Sequence, residues 1–178
     1  MEKSLLIAGF GGQGIMLIGK MLGYAASDSG KETMFYPAYG AEMRGGTANC
    51  TVIISDEEIG SPMCDSFTTF IAMNEPSYHK FIEQVEKGGS VIINSSLVDS
   101  KVQNDAIKAY YVPANDIADK LGNSKVANIV MLGAYIAVSQ AVEVDAIKKI
   151  ITKTLGKKPE MLELNMKAFY EGYNAVKQ

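Results

Sequence analysis

Leu5-Leu6-Ile7-Ala8-Gly9-Phe10-Gly11-Gly12-Gln13-Gly14-Ile15 is the stretch that decides the fold. Its first four residues are apolar without alternation, the pattern of a strand covered on both faces, and the run stops at glycines. Those glycines lead into a segment where Ile15, Ile18, Leu22, Ala25 and Ala26 recur at helical spacing. Gly19 and Gly23, four apart, put a smooth stripe on this helix that lets it lie close to a sheet. The helix stops near Ser29-Gly30.

Working outward, Thr33-Met34-Phe35-Tyr36 reads as a second strand ended by Pro37, which has no amide proton to continue a ladder. Residues 37–47 read as a loop, and the next strand is expected over 50–54. With no helix between these two strands a parallel crossover is hard to build, so the sheet is expected to be mixed. Residues 67–72 and 90–94 read as strands flanking a helix over 75–86 that Gly88-Gly89 terminates, a βαβ unit. A weaker strand covers 109–112. The rest is helical: a short piece after Pro113, then 125–142, 144–155 and 160–176. In the last, Leu162, Met166, Phe169, Tyr173 and Val176 form a stripe expected to pack within the chain. The fold expected over residues 1–178 is one three-layer, Rossmann-like α/β domain, with a mainly parallel but mixed sheet and a helical C-terminal third.

Composition narrows the function. The 178 residues are 47% apolar and 21% charged, as in ordinary globular proteins. The net charge of −3 supplies no field for gripping nucleic acid or an anionic membrane. Cys50 and Cys64 lack the paired CxxC spacing of zinc or iron–sulfur sites and read as buried thiols in a reducing, cytoplasmic setting. The uncharged stretch 4–19 is interrupted by five glycines and Gln13, unlike a signal peptide; 126–142 contains Asn128, Ser139 and Gln140, polar for a bilayer span.

Gly9-Phe10-Gly11-Gly12-Gln13-Gly14 fits G-x-G-x-x-G between a strand and a helix. Two readings stay open: main-chain amides and the positive helix end receive an anion, or the turn is tight and binds nothing. A dinucleotide site also needs an acidic residue closing the second strand. Here that strand ends in Tyr36-Pro37-Ala38, with Glu32 at its beginning and Glu42 within the loop, which argues against NAD or FAD. His79 sits on a solvated helix with no visible orienting partner for base catalysis. Ser61, Ser66, Ser95 and Ser96 lack a nucleophile-elbow context. Asp116 and Asp119 lack a third metal ligand, and Lys148-Lys149 with Lys157-Lys158 are too few to track a phosphate backbone.

Tyr39-Gly40-Ala41-Glu42-Met43-Arg44-Gly45-Gly46-Thr47-Ala48-Asn49-Cys50, taken with Gly11-Gly12-Gln13-Gly14, resembles the gamma subunit of the 2-oxoacid:ferredoxin oxidoreductases, most closely the 2-oxoglutarate type. Ile59-Gly60-Ser61-Pro62 and Asn128 with Leu132-Gly133 also look like that family; Ala41 stands where proline is usual in the 2-oxoglutarate group. The resemblance implies a multi-subunit enzyme that oxidatively decarboxylates a 2-oxoacid with coenzyme A and passes electrons to ferredoxin. Its partners would be alpha and beta catalytic subunits and, in some members, a ferredoxin-like delta subunit. Thiamine diphosphate, magnesium and iron–sulfur clusters would belong to those partners, with none bound by this chain alone. The candidate cofactor or subunit contacts are Gly9, Gly11, Gly12, Gln13, Gly14, Tyr39, Gly40, Glu42, Arg44, Gly45, Gly46, Thr47 and Asn49. Arg44 with the amides of Gly45 and Gly46 suits an anionic ligand or a neighbouring subunit, unless it simply pairs with Glu42. Tyr36 and Tyr39 are interface anchors or ordinary packing. Two rival readings remain: a free-standing nucleotide-binding protein, and a scaffold whose turn binds nothing.

Overall fold

The computed structural model describes residues 1–39, 47–61 and 63–177. The glycine turn leaves β1 (Glu2–Phe10) and enters α1 (Ile15–Asp28), which returns to β2 (Glu32–Tyr39). Next come β3 (Thr47–Ser55), β4 (Phe67–Ala72), α2 (Glu75–Phe81), β5 (Val85–Asn94) and β6 (Lys108–Val112). The C-terminal third is helical: α3 (Ala114–Lys120), α4 (Ala127–Ser139), α5 (Val144–Leu155) and α6 (Pro159–Ala175). Among the described residues the six strands lie in the order β2-β3-β1-β4-β5-β6. β1, β4, β5 and β6 are mutually parallel, while β3 runs antiparallel to both neighbours. The sheet is therefore mixed, as the missing crossover helix requires.

Two layers cover the sheet unequally. On one face Leu5, Ile7, Val52, Ile71 and Ile92 meet α1 and the C-terminal helices around Tyr135 and Phe169. On the other, Leu6, Ala8, Phe70 and Ile93 meet α2 through Tyr78 and Phe81, with Val98 and Ile107 completing the cover. The stripe on α6 packs inward: Phe169 is fully buried, and Leu162, Met166, Tyr173 and Val176 lie against the core. Truncating Phe169 to alanine should cost about 3–5 kcal/mol. The helix interface of α4 and α6 is close enough that a Cβ on Gly133 would overlap the Phe169 carbonyl, and one on Gly172 the Val130 carbonyl.

Several boundaries differ from expectation. β2 continues through Pro37 to Tyr39, because it is an edge strand and tolerates a residue that cannot donate. β3 begins at Thr47, so Tyr39, Thr47 and Asn49 are strand residues. The helix expected over 75–86 ends at Phe81, passes through a 3-10 turn at Ile82–Gln84, and gives way to β5 at Val85. Gly88 and Gly89 form an irregularity in that strand, with Gly88 at φ +85° and Gly89 pressed against backbone carbonyls of Glu86 and Thr68. α4 is shorter than 125–142 and stops at Gln140, which adopts φ +50°. On α1, Gly19 does admit the sheet, since a Cβ there would lie 2.8 Å from Cys50 Sγ and Phe35 Cε2; Gly23 has ordinary clearance. Cys50 is buried as expected, but Cys64 is only partly so.

Candidate functional site

The parallel strands β1, β4, β5 and β6 all finish at one edge of the sheet, and the antiparallel β3 starts there. Register places Phe10 opposite Thr47, Gly9 opposite Ala48, and Tyr39 opposite Ala48. The glycine turn and both described ends of the 40–46 loop therefore share this edge. Gly40, Glu42, Arg44, Gly45 and Gly46, and the alternative pairing of Arg44 with Glu42, lie outside the described residues.

The four glycines of the turn have different reasons to be glycine. A Cβ on Gly9 would lie 2.8 Å from Met73 Cβ. Gly12 sits at φ +94°, and Gly14 at φ +75° with the Asn128 carboxamide where a side chain would go. Gly11 has neither constraint: its φ is not positive, and among the described residues beyond its chain neighbours no atom lies within 4 Å of a Cβ built there. The described chain gives Gly11 no reason to be glycine.

Gln13 is spent inside the chain. Its Oε1 accepts from the Phe10 amide at 2.7 Å and from Asn74 Nδ2 at 3.3 Å, and its Nε2 donates to the Met73 carbonyl at 3.4 Å. The network continues through the fully buried Asn94, whose Nδ2 donates to the Met73 carbonyl and to Asn115 Oδ1 while its Oδ1 accepts from the Ala114 amide. Asn128 Nδ2 donates to the Gly14 carbonyl at 3.2 Å. These amides fix the ends of β1, β4 and β5 against one another. Asn74, Asn94 and Asn115 were missed by sequence reasoning; the one available signal was a polar residue closing an apolar strand, as in Val91-Ile92-Ile93-Asn94.

Between these groups lies a crevice of about 220 Å³, lined by Gly12, Gln13, Met73, Asn115, Lys125 and Asn128 among others. Among the described residues that line it, Lys125 is the one with a charge. The start of α1 carries no acidic residue in the first turn and no side-chain cap, whereas at α4 the Ile129 amide donates to Asn128 Oδ1 and the Ala127 amide to the Ser124 carbonyl. Free amides, a positive helix end and one ammonium make an environment suited to an anion.

Tyr36 and Tyr39 are 59% and 73% exposed, so packing within the described chain does not account for them. Thr47 Oγ1 lies 3.4 Å from Lys80 Nζ. Asn49 sits in β3 opposite Ala8, partly buried.

The groups that tempt a catalytic reading lie elsewhere. His79, expected to be unpartnered, has partners: Nε2 is 2.9 Å from Glu75 Oε1 and 3.3 Å from Ser100 Oγ. Glu75 also contacts Ser100 Oγ directly, and its other oxygen accepts from the amides of Asp99 and Ser100. The carboxylate thus occupies the nitrogen that a serine nucleophile would need, so the cluster clamps the 95–107 segment to α2 rather than activating Ser100. Those hydrogen bonds, the one from Ser100 foremost, hold the Glu75 carboxyl below its ordinary range. Burial pushes the Cys50 thiol up to about 12, leaving it inert. Among the described residues no group of three or more His, Cys, Asp or Glu could hold a metal ion. No described helix is long and apolar enough to cross a membrane.

Residues 4–175 match the family model described as pyruvate ferredoxin/flavodoxin oxidoreductase. The ketoisovalerate oxidoreductase subunit VorA of Methanothermobacter thermautotrophicus is 37% identical over 172 residues, covering 96% of this chain but 36% of that protein. The chain thus spans about a third of VorA. The 2-oxoglutarate synthase subunit KorC of Methanocaldococcus jannaschii is 35% identical over 181 residues, covering 100% of this chain and 96% of that protein. Among solved structures, the keto/oxoacid ferredoxin oxidoreductase gamma subunit of Geobacter sulfurreducens superposes with a TM-score of 0.85 at 29% identity, covering 98% of each chain. The 2-oxoglutarate:ferredoxin oxidoreductase of Magnetococcus marinus, solved with 2-oxoglutarate, coenzyme A and succinyl-CoA bound, gives 0.91 at 25% identity, covering 99% of this chain and 31% of that one. By sequence across nearly its whole length and by fold, this chain belongs to the pyruvate ferredoxin/flavodoxin oxidoreductase family.

Proposed function

We propose that the chain is the gamma subunit of a multi-subunit 2-oxoacid:ferredoxin oxidoreductase in the cytoplasm. With alpha and beta subunits, and a ferredoxin-like delta subunit where one exists, it would support conversion of 2-oxoglutarate and coenzyme A to succinyl-CoA and carbon dioxide, with two electrons passed to ferredoxin. The observation that carries this reading is the end-to-end match to the KorC subunit.

The chain's own contribution would lie at the glycine edge. Gly11, on which the described residues place no demand, would leave its backbone open to an approaching group. Lys125 and the amides at the start of α1 would receive an anion such as the phosphates of coenzyme A. Gln13, Asn94 and Asn128 would hold that edge rigid. Gly9, Gly12 and Gly14 let the turn form, while Tyr39 and Thr47, the described residues on either side of 40–46, lie at the same edge, with Asn49 following in β3.

A second reading concerns the 2-oxoacid. The 37% identity to VorA is no lower than that to KorC, which favours a branched-chain substrate such as ketoisovalerate as the competitor. Co-expression with the partner subunits tests both. The purified chain alone should be colourless and inactive with 2-oxoglutarate, coenzyme A and acceptor, and the complex active, with kcat/KM compared for 2-oxoglutarate and ketoisovalerate. Turnover by the lone chain would refute the subunit reading.

A further inference from the structure

α5 and the turn after it carry a charge imbalance that the proposed role leaves unused. Between Glu143 and Glu160, which flank the stretch, Lys148, Lys149, Lys153, Lys157 and Lys158 stand against a single acid, Asp145, in a chain of net charge −3. Lys148, Lys149 and Lys153 line one open groove of about 500 Å³, together with Asp145, Thr152 and Met166. Asp145 Oδ1 is 3.8 Å from Lys148 Nζ. Among the described residues no carboxylate is in ion-pair contact with Lys149, Lys153, Lys157 or Lys158. Tyr170, 38% exposed, stands beside the groove with its ring 5.8 Å from Lys148 Nζ.

We propose that this groove docks an acidic segment of another protein, and docks it transiently. Unneutralised charge of one sign steers an oppositely charged partner and raises its encounter rate. Permanent interfaces are depleted of lysine at their centres, so a lysine-lined groove suits a partner that comes and goes. Met166 and Tyr170 give the groove an apolar side, which matches carboxylates interleaved with apolar side chains. Asp145 at the groove, and Glu163 on α6, 2.8 Å from Lys167, would repel a long uniform polyanion. Three lysines in a groove of about 500 Å³ suit a short acidic peptide better than duplex nucleic acid or a lipid surface. This surface is independent of the glycine edge, so it stands whichever 2-oxoacid the enzyme uses.

The test titrates the full chain with a synthetic peptide of about 14 residues alternating glutamate and leucine. Binding should be measurable at low salt and weaken at least tenfold between about 0.05 and 0.5 M ionic strength. The triple variant Lys148→Glu, Lys149→Glu, Lys153→Glu should lose it, while the triple arginine variant keeps it at an unchanged thermal midpoint. Parental affinity in the glutamate variant would overturn the proposal. So would a failure of the peptide to bind, or tighter binding of duplex DNA or phosphatidylserine vesicles at the same ionic strength.

Discussion

The turn at 9–14 and the α4–α6 crossing both depend on glycine, for different reasons. At the crossing, Gly133 and Gly172 are demanded by the chain itself, because each faces the backbone carbonyl of the opposite helix. At the turn, Gly9, Gly12 and Gly14 are explained by contact or by positive φ, but Gly11 meets no other described residue. Glycine required by packing is a matter of stability, whereas glycine that the chain does not require points outward, to whatever approaches it. That contrast turns a glycine-rich motif into separate, testable claims about each residue.

The largest effect belongs to the crossing. Gly172→Leu should lose about 4 kcal/mol or more, or prevent folding, because the side chain has only the Val130 backbone to displace. Thermal unfolding checks it, and a mild phenotype would show that the helices can separate. Next comes the turn: Gly14→Ala should cost about 2–3 kcal/mol, more than Gly12→Ala at about 1–2, since both adopt positive φ but only Gly14 meets Asn128. Combining Gly14→Ala with Asn128→Ala should recover part of the difference in denaturant midpoints. Gln13→Leu should cost about 1–2 kcal/mol, because the Phe10 amide and Asn74 lose their acceptor. The smallest effect concerns the clamp at Glu75. Its carboxyl is held below the usual range, so the clamp is fully present at neutral pH and is lost as pH falls through the depressed value. The protection of the Asp99 and Ser100 amides against hydrogen exchange, relative to the intrinsic rate at each pH, should fall there, and Glu75→Gln should produce much of that loss at pH 7.

The parts legible in the sequence were those set by local pattern. The apolar run before Gly9, the face of α1, the bounds of β4 and α5 and the inward stripe of α6 follow from spacing alone. What escaped depends on which element lies beside which. Pro37 looked like a strand end because its tolerance rests on β2 being at the edge, a property of strand order. Gly88-Gly89 looked like a helix stop because pairing of β5 with β4, invisible locally, extends the strand back to Val85. Asn74, Asn94 and Asn115 come from three separate segments and carry no common spacing. Ser100 reaches His79 and Glu75 only through the fold, so the solitary histidine looked unpartnered. The candidate positions of the turn and the ends of the loop were readable, and register brings them to one edge; the division of labour among the glycines needed atomic neighbours.

The central claim, that the glycine edge faces a ligand or partner rather than the chain's own core, is tested most directly by Gly11→Ala. The account predicts an isolated chain within about 1 kcal/mol of the parent, or slightly more stable, together with at least a tenfold rise in KM for coenzyme A, or a matching loss of co-purifying subunits, in the reconstituted enzyme. Parental KM and parental subunit yield in that enzyme would contradict it.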